Sequence, residues 1–174
     1  MALDTNEPTQ DDEQLMALCA LKARHLYMFN GQHIGLAFYR GWLPDFIGAC
    51  AEIDRLLGSN KRGFHFRQIK EKYGWARYYW ATDNVTPVRL SVVAGSSVLE
   101  RQLGVDGGDD VNEQISKILQ IAEELSRQKC IVCSAPAEIR SFAGWLVCAC
   151  ERHSLDHMPR DRFFAAAHLH EAAE

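Results

Sequence analysis

Apolar positions along this chain step by three and four residues in three segments and change to a strand-like pattern in two others. Leu15, Leu18, Cys19, Leu26 and Phe29 predict a first helix running from Asp11 or Asp12 to about Phe29, with Asn30-Gly31 ending it. In "GWLPDF" Pro44 suits a first helical turn, and Phe46, Cys50, Ile53 and Leu57 then step by four, three and four before Gly58 closes the element. A third stripe of Ile115, Ile118, Leu119, Ala122 and Leu125 follows Asp110 and Glu113, whose spacing is that of a capping box.

Between the second and third helices the pattern is different. "GFHFRQIKEKYGWARYYWATD" is rich in aromatic residues and broken by Gly74, which predicts two strands over 64–72 and 75–81. "VRLSVVAG" predicts a third strand over 88–95, bounded by Pro87 and Gly95, and "GVDGGDD" reads as a loop. After His153 turn signals run to Pro159, and a short helix is expected from Asp161. No internal repeat is present.

These elements predict an α+β protein in which helices pack on a small antiparallel sheet and a treble-clef or zinc-ribbon-like finger closes the chain. The expected organisation is a flexible polar N-terminus (1–10), an α+β domain (11–128), the finger (129–158) and a C-terminal helix or tail (159–174).

Composition narrows the functional classes. The chain has 174 residues, 47% of them apolar and 24% charged, which suffices for one domain with a real core. A formal net charge of -4 argues against a generally basic nucleic-acid or membrane binder. No run approaches the roughly 20 apolar residues of a spanning helix. The acidic opening "MALDTNEPTQDDEQ" does not read as a targeting segment, so the expected location is the cytoplasm. In that reducing compartment clustered cysteines bind metal more often than they pair. Cys19 and Cys50 stand alone in helical stripes and read as small core hydrophobes.

The other four cysteines fall in "CIVCSAPAEIRSFAGWLVCACERH". Cys130 and Cys133 have the C-x2-C spacing of a knuckle, which aims two thiolates at one ion. A tetrahedral zinc ion needs a second pair. Cys150 and His153 supply it as C-x2-H. Cys148 lies two positions from Cys150 and would share its side of an extended strand, so spacing alone does not separate the two. We take Cys150, because the second pair then begins where the strand "WLVCA" gives way to the polar "ERH". The expected metal ligands are therefore Cys130, Cys133, Cys150 and His153, with Zn2+ in a structural role. A catalytic zinc keeps an open position and a general base, whereas four ligands close this site, leaving Glu151 as the nearest carboxylate. The zinc deaminase signature is absent, since His65 is followed by Phe66 and Arg67 and no proline precedes Cys130.

Two segments together resemble a family of small uncharacterised bacterial proteins with a K-E-K-F-G-G-L-R-F-Y core and a later C-x2-C-G-x-P-G knuckle, G-W, and C-x2-H. The matching residues here are Ile69, Lys70, Glu71, Lys72, Tyr73, Gly74, Arg77 and Tyr79, then Cys130, Cys133, Pro136, Arg140, Gly144, Trp145, Cys150 and His153. The resemblance spans about residues 41 to 153. It implies Cys150 as the ligand, because the family's cysteine lies five positions after the tryptophan. Trp75, Ser134 and Ala137 stand where that family carries glycine. The resemblance implies no activity, and its bacterial and prophage setting suggests defence, counter-defence or toxin neutralisation.

Across 61–80, Lys61, Arg62, Arg67, Lys70, Lys72 and Arg77 interleave with aromatic residues. Such a segment is either a nucleic-acid platform or a half-buried hairpin with its rings inward and its charges in water. Lys70, Lys72, Tyr73, Trp75, Arg77 and Tyr79 are the candidate partner-binding residues. His25 and His33 read as surface residues, and His157, His168 and His170 as a polar tail. Asp106, Asp109 and Asp110 lack the spacing of a calcium loop. No nucleophilic triad or phosphate-cradling glycine loop occurs. The expectation is a non-enzymatic, protein-binding bacterial protein of the immunity or inhibitor type, its partner another protein such as a toxin or nuclease. The alternative is a zinc-stabilised nucleic-acid-binding regulator.

Overall fold

A computed structural model describes residues 10–30, 39–94, 97–104, 110–142, 144–154, 156 and 158–169. His33, His157, His170, Asp106 and Asp109 lie outside the described residues. The fold is α+β. Helix α1 spans Gln10–Arg24 and runs into a 3-10 turn at Leu26–Met28. Helix α2 spans Leu43–Leu57 behind a 3-10 turn at Arg40–Trp42, with Pro44 in its first turn and Gly58 at its end. Strands β1 (His65–Lys72) and β2 (Trp75–Ala81) form one antiparallel hairpin, and β3 (Val88–Ala94) and β4 (Ser97–Leu103) a second. Helix α3 (Asp110–Ser126) follows, then a third hairpin of β5 (Glu138–Phe142) and β6 (Trp145–Ala149). A short helix α4, Arg160–Ala167, closes the described chain. Among the described residues the β structure is three two-stranded antiparallel hairpins.

One face of β1–β2 makes the centre of the core. Phe66, Ile69, Ala76, Tyr78 and Trp80 are buried on it, and the Phe46 ring of α2 stacks on Tyr78 at 5.2 Å between centroids. The hairpin turns on Tyr73 and Gly74, both at positive φ (60° and 92°), and the Gly74 N–H donates to the Glu71 carboxylate at 2.6 Å. Helix α3 covers the free edge of β2. Ser126 Oγ and Glu123 Oε1 accept hydrogen bonds from the Ala76 and Tyr78 N–H groups (2.9 Å each), which occupies an edge that would otherwise pair with another chain.

Helix α1 departs from its expected stripe. Leu18, Leu21, His25 and Met28 are buried, whereas Cys19 and Leu26 are exposed. The buried positions step by three, four and three, so the core face is rotated from the expected one. His25 is a correction: it occupies a core position within 3.5 Å of Asp54, and it is not a surface residue. Cys50 is buried as expected. Asp110 begins α3, and its carboxylate accepts from Gln114 at 2.6 Å, so this side chain bonds a residue one turn along.

The cysteine-rich segment shares the core with the helices. Cys130, Ile131, Val132, Val147, Cys148 and Ala149 join the buried cluster that contains Trp42, Phe46 and Phe163. Three contacts seat the knuckle against the start of α2. The Gly41 N–H donates to Ile131 O (2.9 Å), Ser134 Oγ donates to Gly41 O (2.7 Å), and Lys129 pairs with Asp45 (2.7 Å).

Candidate metal centre

The knuckle is a tight turn closed by Ser134 N–H to Cys130 O (3.0 Å) and Cys130 N–H to Ala135 O (2.8 Å). Ser134 has φ +62°, in the left-handed region where glycine is at ease. Its hydroxyl bond to Gly41 O offsets part of that backbone cost. The second pair is set by the strand end: β6 stops at Ala149, Cys150 caps a 3-10 turn over Glu151–His153, and the His153 N–H donates to Cys150 O (3.0 Å).

These two devices bring Cys130, Cys133, Cys150 and His153 together, with all four donor atoms within 4.8 Å of one another. Cys133 Sγ lies 3.8 Å from Cys150 Sγ, and His153 Nδ1 lies 3.4 Å from Cys150 Sγ and 3.7 Å from Cys130 Sγ. A tetrahedron with metal–sulfur bonds of about 2.3 Å and metal–nitrogen bonds of about 2.05 Å has S···S edges of about 3.8 Å and S···N edges of about 3.6 Å. The observed separations match those edges, and the donor set suits a borderline-soft cation. The four residues can therefore bind a metal ion.

Cys148 is excluded by direction. It is fully buried, and its thiol donates to Arg127 O at 3.2 Å. Burial, with the nearby Cys130, pushes that thiol up to about 12, so it stays protonated. Within the cluster, burial pushes Cys133 up to about 11, with the charge of Cys130 adding to it. At Cys150 burial acts in the same direction, but backbone N–H groups of His153 and Arg152 and the neighbouring thiols outweigh it and hold the thiol below its ordinary value. Burial lowers His153, which favours the neutral ring that a metal requires. Cys130 is buried, Cys150 and His153 are half-buried, and Cys133 is exposed, so one corner of the site reaches the surface.

The candidate partner-binding residues are distributed differently. Trp75 and Arg77 are buried, so neither presents a surface to a partner. Lys70, Lys72, Tyr73 and Tyr79 are half-buried, with Lys70 over the Tyr79 ring (4.8 Å) and Lys72 over Tyr73 (4.9 Å). Phe64, Phe66, Tyr78 and Trp80 are also buried, so the rings that would stack on bases lie mostly inside the protein. Trp75 is held between the guanidinium groups of Arg77 (3.9 Å) and Arg127 (3.8 Å).

Sequence reading gave no sign of a polar layer above this face. Arg77 donates to Glu100 (2.7 Å), Arg89 to Glu123 (2.7 Å) and Ser91 to Glu100 (2.9 Å), joining β2, β3, β4 and α3. Two guanidinium groups and two carboxylates balance there. The only advance signal is the alternation of Arg89 and Ser91 with Val88, Leu90 and Val92, which marks a strand with one polar face without saying which face turns inward.

This is an α+β chain with a Cys3His cluster able to hold a metal. Compared with known proteins, it matches no protein-family model, no curated protein and no solved structure. Among the described residues, no helix is long and apolar enough to cross a membrane.

Proposed function

We propose that this chain is a non-enzymatic protein-binding protein whose finger is clamped by one structural zinc ion. The observation that carries the reading is the four-donor cluster, all within 4.8 Å, in which the Cys133–Cys150, Cys150–His153 and Cys130–His153 separations are close to tetrahedral edges. Four protein ligands leave no coordination position for a substrate, so the ion's contribution is to fix the knuckle and the start of the 3-10 turn. Glu151 next to Cys150 is exposed, and a closed site gives it no metal-bound water to deprotonate. Free thiols suit a reducing compartment, consistent with a cytoplasmic location.

The narrower form of the proposal is an immunity or inhibitor protein that blocks a toxin or nuclease, a reading that draws on the net charge of -4. The test is quantitative purification of the metal-loaded protein from its native host after crosslinking. The reading predicts one stoichiometric protein partner whose activity falls when the purified chain is added back. Recovery of the chain alone, together with turnover of a hydrolysable substrate that depends on Glu151, would overturn it.

A further inference from the structure

The β3–β4 hairpin has its faces reversed relative to an ordinary surface hairpin. Over most of its length the inward face is polar: Arg89, Ser91, Glu100 and Gln102 point to the body, where Arg89 and Glu100 join Arg77 and Glu123, and Gln102 accepts from Ser116 of α3 at 3.1 Å; the Val93–Val98 pair lies beyond them on the same face. The outward face is aliphatic. Val88, Leu90 and Val92 alternate along β3 and are 56%, 52% and 60% exposed, and Leu99, which pairs with Val92, is 73% exposed. A one-residue slip of the strands would exchange the two faces and bury the aliphatic set. The ion network fixes the opposite register, so the protein holds these side chains in water against the hydrophobic effect.

We propose that this face is a docking surface for an apolar, acidic segment of another protein. The proposal rests on the protein-binding reading above and assigns it a place on the molecule. Charge and area select the occupant. Arg101 pairs with Leu90 across the strands and so shares the outward face; it is exposed and has no ion-pair partner among the described residues. The described part of this face holds no carboxylate. A second copy of the chain would therefore bring another Arg101 and no acid to meet it. The four aliphatic side chains expose roughly 400 Å², which is the size of a functional surface patch but about half of one partner's share in a standard stable interface. A short segment with aliphatic side chains and one Asp or Glu fits both limits.

The experiment is selection of short random peptides displayed on phage against the metal-loaded full chain. Affinities of synthetic peptides from the selection are then measured for wild type, Leu99→Lys and Arg101→Glu. Both substitutions lie at exposed positions, and unchanged melting temperatures will show that each variant is folded. The expected result is enrichment of aliphatic peptides carrying a carboxylate, with affinity at least about tenfold weaker for each variant. Repeating the selection on Arg101→Glu should then enrich basic peptides. Lack of enrichment, binding unaffected by Leu99→Lys, or wild-type dimerisation that Leu99→Lys abolishes would each overturn the proposal. A protein partner that binds Leu99→Lys as tightly as wild type would remove this surface and leave the protein-binding reading standing.

Discussion

Gly41 and Gly48 lie seven residues apart, and the same substitution at the two should have opposite effects. A Cβ at Gly41 would overlap Cys130 O and lie 2.7 Å from Ile131 C and 2.9 Å from Ile131 O, all backbone atoms of the knuckle. No side chain can rotate away to relieve it, so the knuckle must move off the start of α2. That movement stretches the Gly41 N–H to Ile131 O and Ser134 Oγ to Gly41 O bonds, each contributing about 1 kcal/mol net. Overpacking of a well-filled contact adds about 1–3 kcal/mol, so Gly41→Ala should destabilise by about 3–5 kcal/mol. Gly48 is exposed on α2, and a Cβ there meets nothing within 4 Å. Gly48→Ala should stabilise by about 1 kcal/mol through helix propensity alone. Urea unfolding of the metal-loaded proteins, with the slope checked for constancy, reads both changes. A Gly41→Ala protein within about 0.5 kcal/mol of wild type would refute the seating of the knuckle on α2.

Three further outcomes follow from the polar layer and the finger. Glu100→Gln removes the carboxylate facing the fully buried Arg77 and should cost about 2–4 kcal/mol, read by thermal unfolding; a loss below about 0.5 kcal/mol would mean the network is not formed. At Glu100 burial opposes ionisation, but Ser91, Arg77 and Arg89 outweigh it and hold the carboxyl below its ordinary value. Because the folded value is the lower one, this stabilisation is present above the ordinary glutamate value of about 4.3 and disappears as pH falls through the folded value. Hydrogen exchange of β3–β4 should therefore accelerate in acid before that of β1–β2, and simultaneous loss would contradict it. Chelation should remove exchange protection from residues 130–153 first, whereas protection unchanged without metal would contradict a structural ion.

What could be read from sequence divides along physical lines. Helix α2 and the β1–β2 hairpin were legible because Phe46, Cys50, Ile53 and Leu57 keep a clean helical period and Gly74 marks the only turn the aromatic segment allows. Spacing left Cys148 and Cys150 both open; the preference for Cys150 rested on the strand "WLVCA" giving way to the polar "ERH", and Cys150 is the one that joins the cluster. Helix α1 was misread where hydropathy and position disagree: His25 fills a core site while Leu26, beside it, faces water. Rings turned inward across 61–80 were one of the two readings of the sequence, but the burial of Arg77 could not be read, since it depends on α3 and β3–β4 arriving from distant sequence. Strand β4 was missed because "SVLERQL" carries two charges, and Glu100 is placed inward by Arg77, a partner 23 residues away. Whether a polar face turns to solvent or to the body is a tertiary property.

The central claim is that Cys130, Cys133, Cys150 and His153 hold one zinc ion and that Cys148 does not take part. Native mass spectrometry of wild type, Cys148→Ala and Cys150→Ala, purified without added metal, tests it most directly. One zinc per chain is expected for wild type and for Cys148→Ala, and none retained by Cys150→Ala after brief chelation. Zinc lost from Cys148→Ala and kept by Cys150→Ala, or a folded wild-type protein that binds no zinc when the ion is supplied, would contradict it.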